Sequence, residues 1–203
     1  MGFSGFIQAG GRSSRMGTDK AWLRFGDQYT IELVIAALQP AVAQLAIVAN
    51  SDRYKELGLP VYPDIISDYG PLGGIHTALS NSENDGVFIV SCDLPFVTSD
   101  FFRFLADHRD GYQIVVPLDQ HERTQQMCAL YSKSCLPIIE TVISENERRP
   151  RMLFDRCRTK YVSWEEISHL TNSNHFFDNL NTPEDYKRAL DLMWRIRPDC
   201  AGS

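Results

Sequence analysis

The segment FSGFIQAGGRSSRMGTDK, residues 3–20, passes from a short apolar run at 4–9 straight into paired glycines and then into basic residues. Gly10, Gly11 and Gly17 free the backbone to turn sharply and to bring its N–H groups close to an anion. Arg12, Arg15 and Lys20 add positive charge at the same place, and arginine's planar fork suits phosphate oxygens. The glycine spacing and the position of Lys20 match neither the dinucleotide pattern G-x-G-x-x-G nor the Walker pattern G-x-x-x-x-G-K-[ST]. The expectation is a strand followed by a phosphate-cradling loop of another kind.

Working outward from this loop, strand-like and helix-like patterns alternate. Continuous apolar runs predict buried strands at 45–49 and Gly86–Ser91, with shorter ones at 60–62, 113–117 and 128–131. Helical spacing predicts helices at Thr30–Leu38, 72–82, 99–108 (capped by Thr98 or Ser99) and 134–143. Thr182-Pro183-Glu184-Asp185 supplies a capping hydroxyl, a proline at the first helical position and two carboxylates in the first turn of a last helix reaching about Trp194. No repeat and no Pro-, Gly- or Ser-rich linker divides the chain. The alternation predicts one α/β domain over 1–194, three layers with a mixed, mainly parallel sheet, and a tail at 195–203. Ligands of such sheets bind beyond the carboxyl ends of the strands.

Two further segments fall at such ends. Cys92-Asp93-Leu94-Pro95-Phe96 closes the strand at Gly86–Ser91, and Asp93 there suits either a Mg²⁺ ligand or a turn cap. Gly73 and Gly74, in Gly70-Pro71-Leu72-Gly73-Gly74-Ile75, each cost a helix ~1 kcal/mol relative to alanine. Either a nucleotide base approaches the backbone there or the helix packs closely on the sheet.

Composition narrows the classes of function. The 203 residues are 43% hydrophobic and 23% charged, as in an ordinary globular protein. The net charge is −6, yet residues 1–25 carry +3 and residues 147–160 carry +4. Two basic segments in an acidic chain suit a small anionic ligand, or two solvated faces, better than nucleic acid. The apolar stretches are too short to span a membrane, and no basic segment leads into an apolar one at the start. Cys92, Cys128, Cys135, Cys157 and Cys200 are scattered with no C-x-x-C spacing, which predicts a reduced, cytoplasmic setting. His76, His108, His121, His169 and His175 form no spaced pair, and no G-x-S-x-G occurs.

With A-G-G-R-S-S-R-M-G-T-D-K (9–20), G-P-L-G-G-I (70–75), C-D-L-P-F (92–96) and N-L-N-T-P-E-D (179–185), the chain resembles the molybdenum cofactor guanylyltransferases over nearly its whole length. The resemblance implies a Rossmann-like nucleotidyltransferase domain that transfers GMP from GTP to the terminal phosphate of molybdenum-molybdopterin. It implies that Gln8, Ala9, Gly10 and Gly11 cradle the nucleotide, that Asn50 and Asp64 contact it, and that Lys20 binds its phosphates. By the same resemblance Asp93 holds Mg²⁺ and touches the GTP, and Arg15, Lys20 and Asp93 carry the catalysis. Asn179 and Asn181 would lie near the pterin, and Arg148, Arg149 and Arg151 would hold its phosphate, Arg149 foremost. Implied partners are GTP, molybdenum-molybdopterin and, transiently, cofactor insertion or target enzymes; nucleic acid and membrane are excluded.

The sequence departs from the family at Gln8, where an apolar residue is usual. It departs again at Val48, where some members have asparagine, and at Gln126, where proline is frequent. A CTP-dependent transferase of the same pterin is a neighbouring alternative, disfavoured by Gly10-Gly11 and by 70–75. A transferase of sugar or polyol phosphates and a GTP-binding regulatory module are the others.

Overall fold

Phe6 and Ile7 stand side by side in the first strand, and their side chains enter different cores. That alternation sets the layers. The structure, a computed structural model, describes residues 2–10 and 19–196. Its main sheet is built from β1 (Phe3–Gln8), β4 (Gln44–Val48), β5 (Val61–Tyr62), β6 (Gly86–Ser91), β7 (Ile114–Pro117), β8 (Cys128–Ser132) and β9 (Thr159–Val162). A separate hairpin of β2 (Arg24–Phe25) and β3 (Gln28–Tyr29) precedes β4. The seven strands are ordered β5-β4-β1-β6-β8-β7-β9. Only β8 runs antiparallel to its neighbours β6 and β7; the other pairs are parallel. The sheet is mixed and mainly parallel, as expected.

Helices α1 (Thr30–Leu38) and α3 (Ser99–Asp107) cover one face, packing Ile31, Val34, Phe101 and Leu105 onto Ile7, Ile47, Phe88 and Val90. Helices α2 (Gly70–Asn81) and α4 (Leu136–Ser144) cover the other, packing Leu72, Ile75 and Ile139 onto Phe6, Ala46, Val87 and Ile89. Each such side chain, fully buried, contributes ~1.5–3 kcal/mol. The cap of α3 is Thr98, whose hydroxyl accepts from Phe101 N. A short α5 (Trp164–Ile167) follows β9.

Helix α6 (Pro183–Ile196) runs two residues past its expected end at Trp194. Thr182 opens it, its Oγ1 accepting from Asp185 N at 3.1 Å while Asp185 Oδ2 accepts from Thr182 N at 2.9 Å. A third apolar cluster, Phe25, Leu33, Phe96, Leu180, Ala189 and Met193, docks α6 on the β2–β3 hairpin. The tail beyond Ile196 lies outside the described residues. Among the described residues no helix is long and apolar enough to cross a membrane.

Candidate active site

Three parallel strands end together. Gln8, the last residue of β1, lies level with Val48 of β4 and Ser91 of β6. The loops that leave these ends enclose a cleft of about 750 Å³, lined by Gln8, Ala9, Gly10, Lys20, Asn50, Asp64 and Asp93 among others. That volume falls in the ~300–1,000 Å³ range of small-molecule sites. Seven residues expected to bind a nucleotide therefore meet in one place. Gly11, the eighth, and the arginines expected beside it, Arg12 and the catalytic candidate Arg15, fall outside the described residues. Gly10 takes φ +81°, which a side chain would strain.

Lys20 is aimed by its neighbour. Asp19 caps the short turn at Lys20–Trp22, its Oδ1 accepting from Ala21 N at 3.1 Å. Its Oδ2 accepts from the fully buried Tyr54 hydroxyl at 2.6 Å. Burial, then the Asp19 carboxylate, raises the Tyr54 pKa, so the phenol stays a donor. From this anchor the Lys20 ammonium reaches Asp93 Oδ2 at 3.1 Å and Asn181 Oδ1 at 2.5 Å.

Asp93 is 8% exposed. Its Oδ1 accepts from Ser91 Oγ at 2.6 Å, and among the described residues no backbone N–H donates to its carboxylate. The turn-cap alternative therefore lacks its hydrogen bond. Cys92 beside it is buried, and burial followed by the charge of Asp93 pushes its thiol well above the ordinary range. A neutral thiol is no nucleophile.

Asn50 and Asp64 join the loops after β4 and β5. Asn50 Nδ2 donates to Asp64 Oδ2 at 2.9 Å, and Asp64 N donates to Asn50 Oδ1 at the same distance. Asp64 Oδ1 and Gln8 Oε1 are buried at this cleft and have no hydrogen-bond donor among the described residues. An acceptor left so costs ~1–3 kcal/mol, which a ligand supplying N–H groups would recover.

Of the two readings open for Gly73 and Gly74, a base against bare backbone or close packing, the structure favours packing. A Cβ on Gly73 would lie 2.8 Å from the Ile66 carbonyl, and one on Gly74 would lie 2.1 Å from Gln8 Nε2. The Gln8 amide lies where an apolar residue is usual in the family, donating to Gly70 O at 3.4 Å. Gly74→Ala should therefore push the Gln8 amide into the cleft and cost ~1–3 kcal/mol of stability by overpacking. Most of that cost should vanish in a Gln8→Ala background, which denaturant melts of the four proteins would test. Equal costs in both backgrounds would dissociate the two residues.

The basic segment divides. Arg149 pairs with Glu147, whose carboxyl the Arg149 guanidinium lowers to about 2, and it does not line the cleft. Arg148 does, its guanidinium 5.5 Å from the centre of the Tyr69 ring. Tyr69 is fixed in turn by its hydroxyl's bond to Ile143 O at 3.1 Å. Sequence reasoning also missed Ser67, Asp68 and Met127 as lining residues. Asp68, at φ +66°, and Gly70, at φ +51°, bend the chain into α2.

Asn179 and Asn181 lie across Asp93, in a second pocket of about 270 Å³ with Gln125 and Gln126. The two pockets share Ser91, Asp93 and Met127.

The donor set fits a magnesium-like ion. Among the described residues no three His, Cys, Asp or Glu side chains group as a metal cage. Asp93 offers one carboxylate, and Mg²⁺ commonly takes one or two plus substrate phosphates. Among the described residues, the cleft lining holds Asp19, Asp64, Asp68 and Asp93 against Lys20 and Arg148. A polyphosphate entering this acidic lining gains from a cation brought with it.

A strand-end cleft of nucleotide size that meets a second pocket across one carboxylate has the two compartments a nucleotidyltransferase needs. The chain belongs to the MobA-like NTP transferase family, whose domain matches residues 5–161. It is 36% identical over 187 residues to the probable molybdenum cofactor guanylyltransferase of Carboxydothermus hydrogenoformans, covering 92% of this chain and 94% of that one. It is 37% identical over 188 residues to the protein of that name from Clostridium perfringens, covering 91% and 94%. The crystal structure of molybdopterin-guanine dinucleotide biosynthesis protein A from Archaeoglobus fulgidus shares the fold, with a TM-score of 0.81 at 22% identity over 95% of this chain and 99% of that one.

Proposed function

We propose that the protein transfers GMP from GTP to the terminal phosphate of molybdenum-molybdopterin in the cytoplasm, releasing pyrophosphate. The observation that carries this reading is Asp93 standing between two pockets, with Lys20 reaching it from the cleft and Asn181, in the second pocket, accepting from the same ammonium. The names of the relatives support a guanylyl group and the molybdenum cofactor as the two parts joined.

An oxygen of the pterin's terminal phosphate attacks the α-phosphorus of GTP. The bond to the oxygen bridging the α- and β-phosphorus breaks, and pyrophosphate leaves with its electron pair. The nucleophile is already an anion at neutral pH, because the second pKa of a phosphate monoester is ~6. The site needs no general base. Its residues hold two polyanions in line and offset charge on the leaving group, and Lys20 is the described cation best placed for it. Bound Mg²⁺, held by Asp93 and by phosphate oxygens, would neutralise that same charge. Asn179 and Gln125 offer amides to the acceptor.

Pyrophosphate release, measured with each of the four nucleoside triphosphates with and without molybdopterin, tests the reading. GTP should exceed CTP and ATP at least ten-fold, because a base that fails to meet buried acceptors leaves them unpaired. Equal rates with CTP would reassign the base. Release with a sugar phosphate in place of molybdopterin would reassign the acceptor.

A further inference from the structure

We propose that Asn181 acts on the nucleotide side of the reaction, as a positioning residue that aims the Lys20 ammonium into the cleft. The inference rests on the cleft being a nucleotide site. Lys20 carries a flexible four-carbon stem, and an unheld lysine spreads its charge over many rotamers, a freedom it loses when a ligand finally fixes it. Here the ammonium is fixed in advance by two partners, Asp93 Oδ2 at 3.1 Å and Asn181 Oδ1 at 2.5 Å. Three donors and two partners among the described residues leave one N–H to face a phosphate.

The two partners differ in what they do once a triphosphate enters. Asp93 is the carboxylate a cation would draw on, so its hold on Lys20 weakens. The Asn181 amide is neutral, and it holds the ammonium without cancelling its charge. An aspartate at 181 would cancel it.

The backbone around Asn181 is itself fixed. Its N–H donates to Asp185 Oδ2 at 3.2 Å, inside the cap of α6, and to Asn179 O at 3.1 Å. The next residue back, Leu180, is buried in the cluster under α6, and its N–H donates to Asp93 O at 3.4 Å. The loop that bears Asn181 is thus tied to the backbone of Asp93 as well as to α6. The side chain is surface-exposed, so its replacement leaves the core intact.

Equilibrium titration of the full chain with GTP and Mg²⁺, without acceptor, tests the assignment. Asn181→Ala should weaken GTP binding about five-fold, the size of one exposed charge-assisted hydrogen bond. Asn181→Asp should weaken it further. Asn179→Ala, which alters the same pocket without touching Lys20, should bind GTP as wild type does. In a Lys20→Ala background, Asn181→Ala should cause no additional loss. Wild-type affinity in Asn181→Ala, or the same loss with Lys20 absent, would overturn the proposal. Failure of the wild type itself to bind GTP would instead overturn the nucleotide reading of the cleft.

Discussion

Asp93→Asn is expected to fold normally and to lose ~10²–10³ in turnover, equivalent to the ~3–4 kcal/mol of one strong electrostatic contact in a transition state. The substitution keeps the shape of the strand end. Its amide oxygen can still accept from Ser91 or from Lys20, the two groups that now donate to the carboxylate. What disappears is one negative charge. Stability shifts by little, because two effects oppose each other. The ion pair with Lys20 weakens, while repulsion from Asp19, Asp64 and Asp68 in the same cleft is relieved. A change within ~1 kcal/mol moves the melting temperature of a chain this size by ~2–4 °C. The GTP affinity of the variant should also respond less to added magnesium than that of the wild type. A stable variant that turns over at the wild-type rate at limiting magnesium would sink the assignment.

The convergence on Asp93 was readable in the sequence because a parallel sheet turns strand-end motifs into neighbours. Gln8, Asn50, Asp64 and Asp93 are far apart along the chain, yet each closes or follows a strand of the β5-β4-β1-β6 run. Long apolar strands and capped helices were legible for the same reason: burial on one or both faces imposes a period. Short elements carry no period. The two-residue strands β2 and β3 and the four-residue α5 were missed on that account. Strand β9 was missed because it forms the sheet edge, where Tyr161 is 43% exposed, and because its start overlaps the basic run. That run also hid which arginine enters the cleft. Arg148 and Arg149 are adjacent and chemically identical, and the choice is made by the Tyr69 ring, which takes the Arg148 guanidinium, and by Glu147, which takes that of Arg149. The sequence left the role of Gly74 open between a base and packing, and Gln8 decides it, since the pair meets only when α2 lies across β1.

Lys20→Ala is expected to lower kcat/KM for GTP by ~10²–10³, with GTP affinity itself down at least ten-fold. Among the described lining residues the cleft carries four carboxylates and two cations, Lys20 and Arg148. Removing Lys20 leaves Arg148 alone among those cations, at the rim beside Tyr69. An incoming triphosphate then meets a more negative cleft, so affinity and rate fall together. Stability should also drop slightly, because Asp93 keeps Ser91 Oγ as its one described donor while Asp19, Asp64 and Asp68 remain close by. The loss has a salt signature: GTP binding to the wild type should weaken as ionic strength rises, and the variant should respond less, having fewer charges to screen. Arg149→Ala supplies the contrast. Arg149 is engaged by Glu147 outside the cleft, so its loss should leave GTP titrations unchanged. If Lys20→Ala binds GTP with wild-type affinity and wild-type salt dependence, the phosphates do not bind beside Lys20.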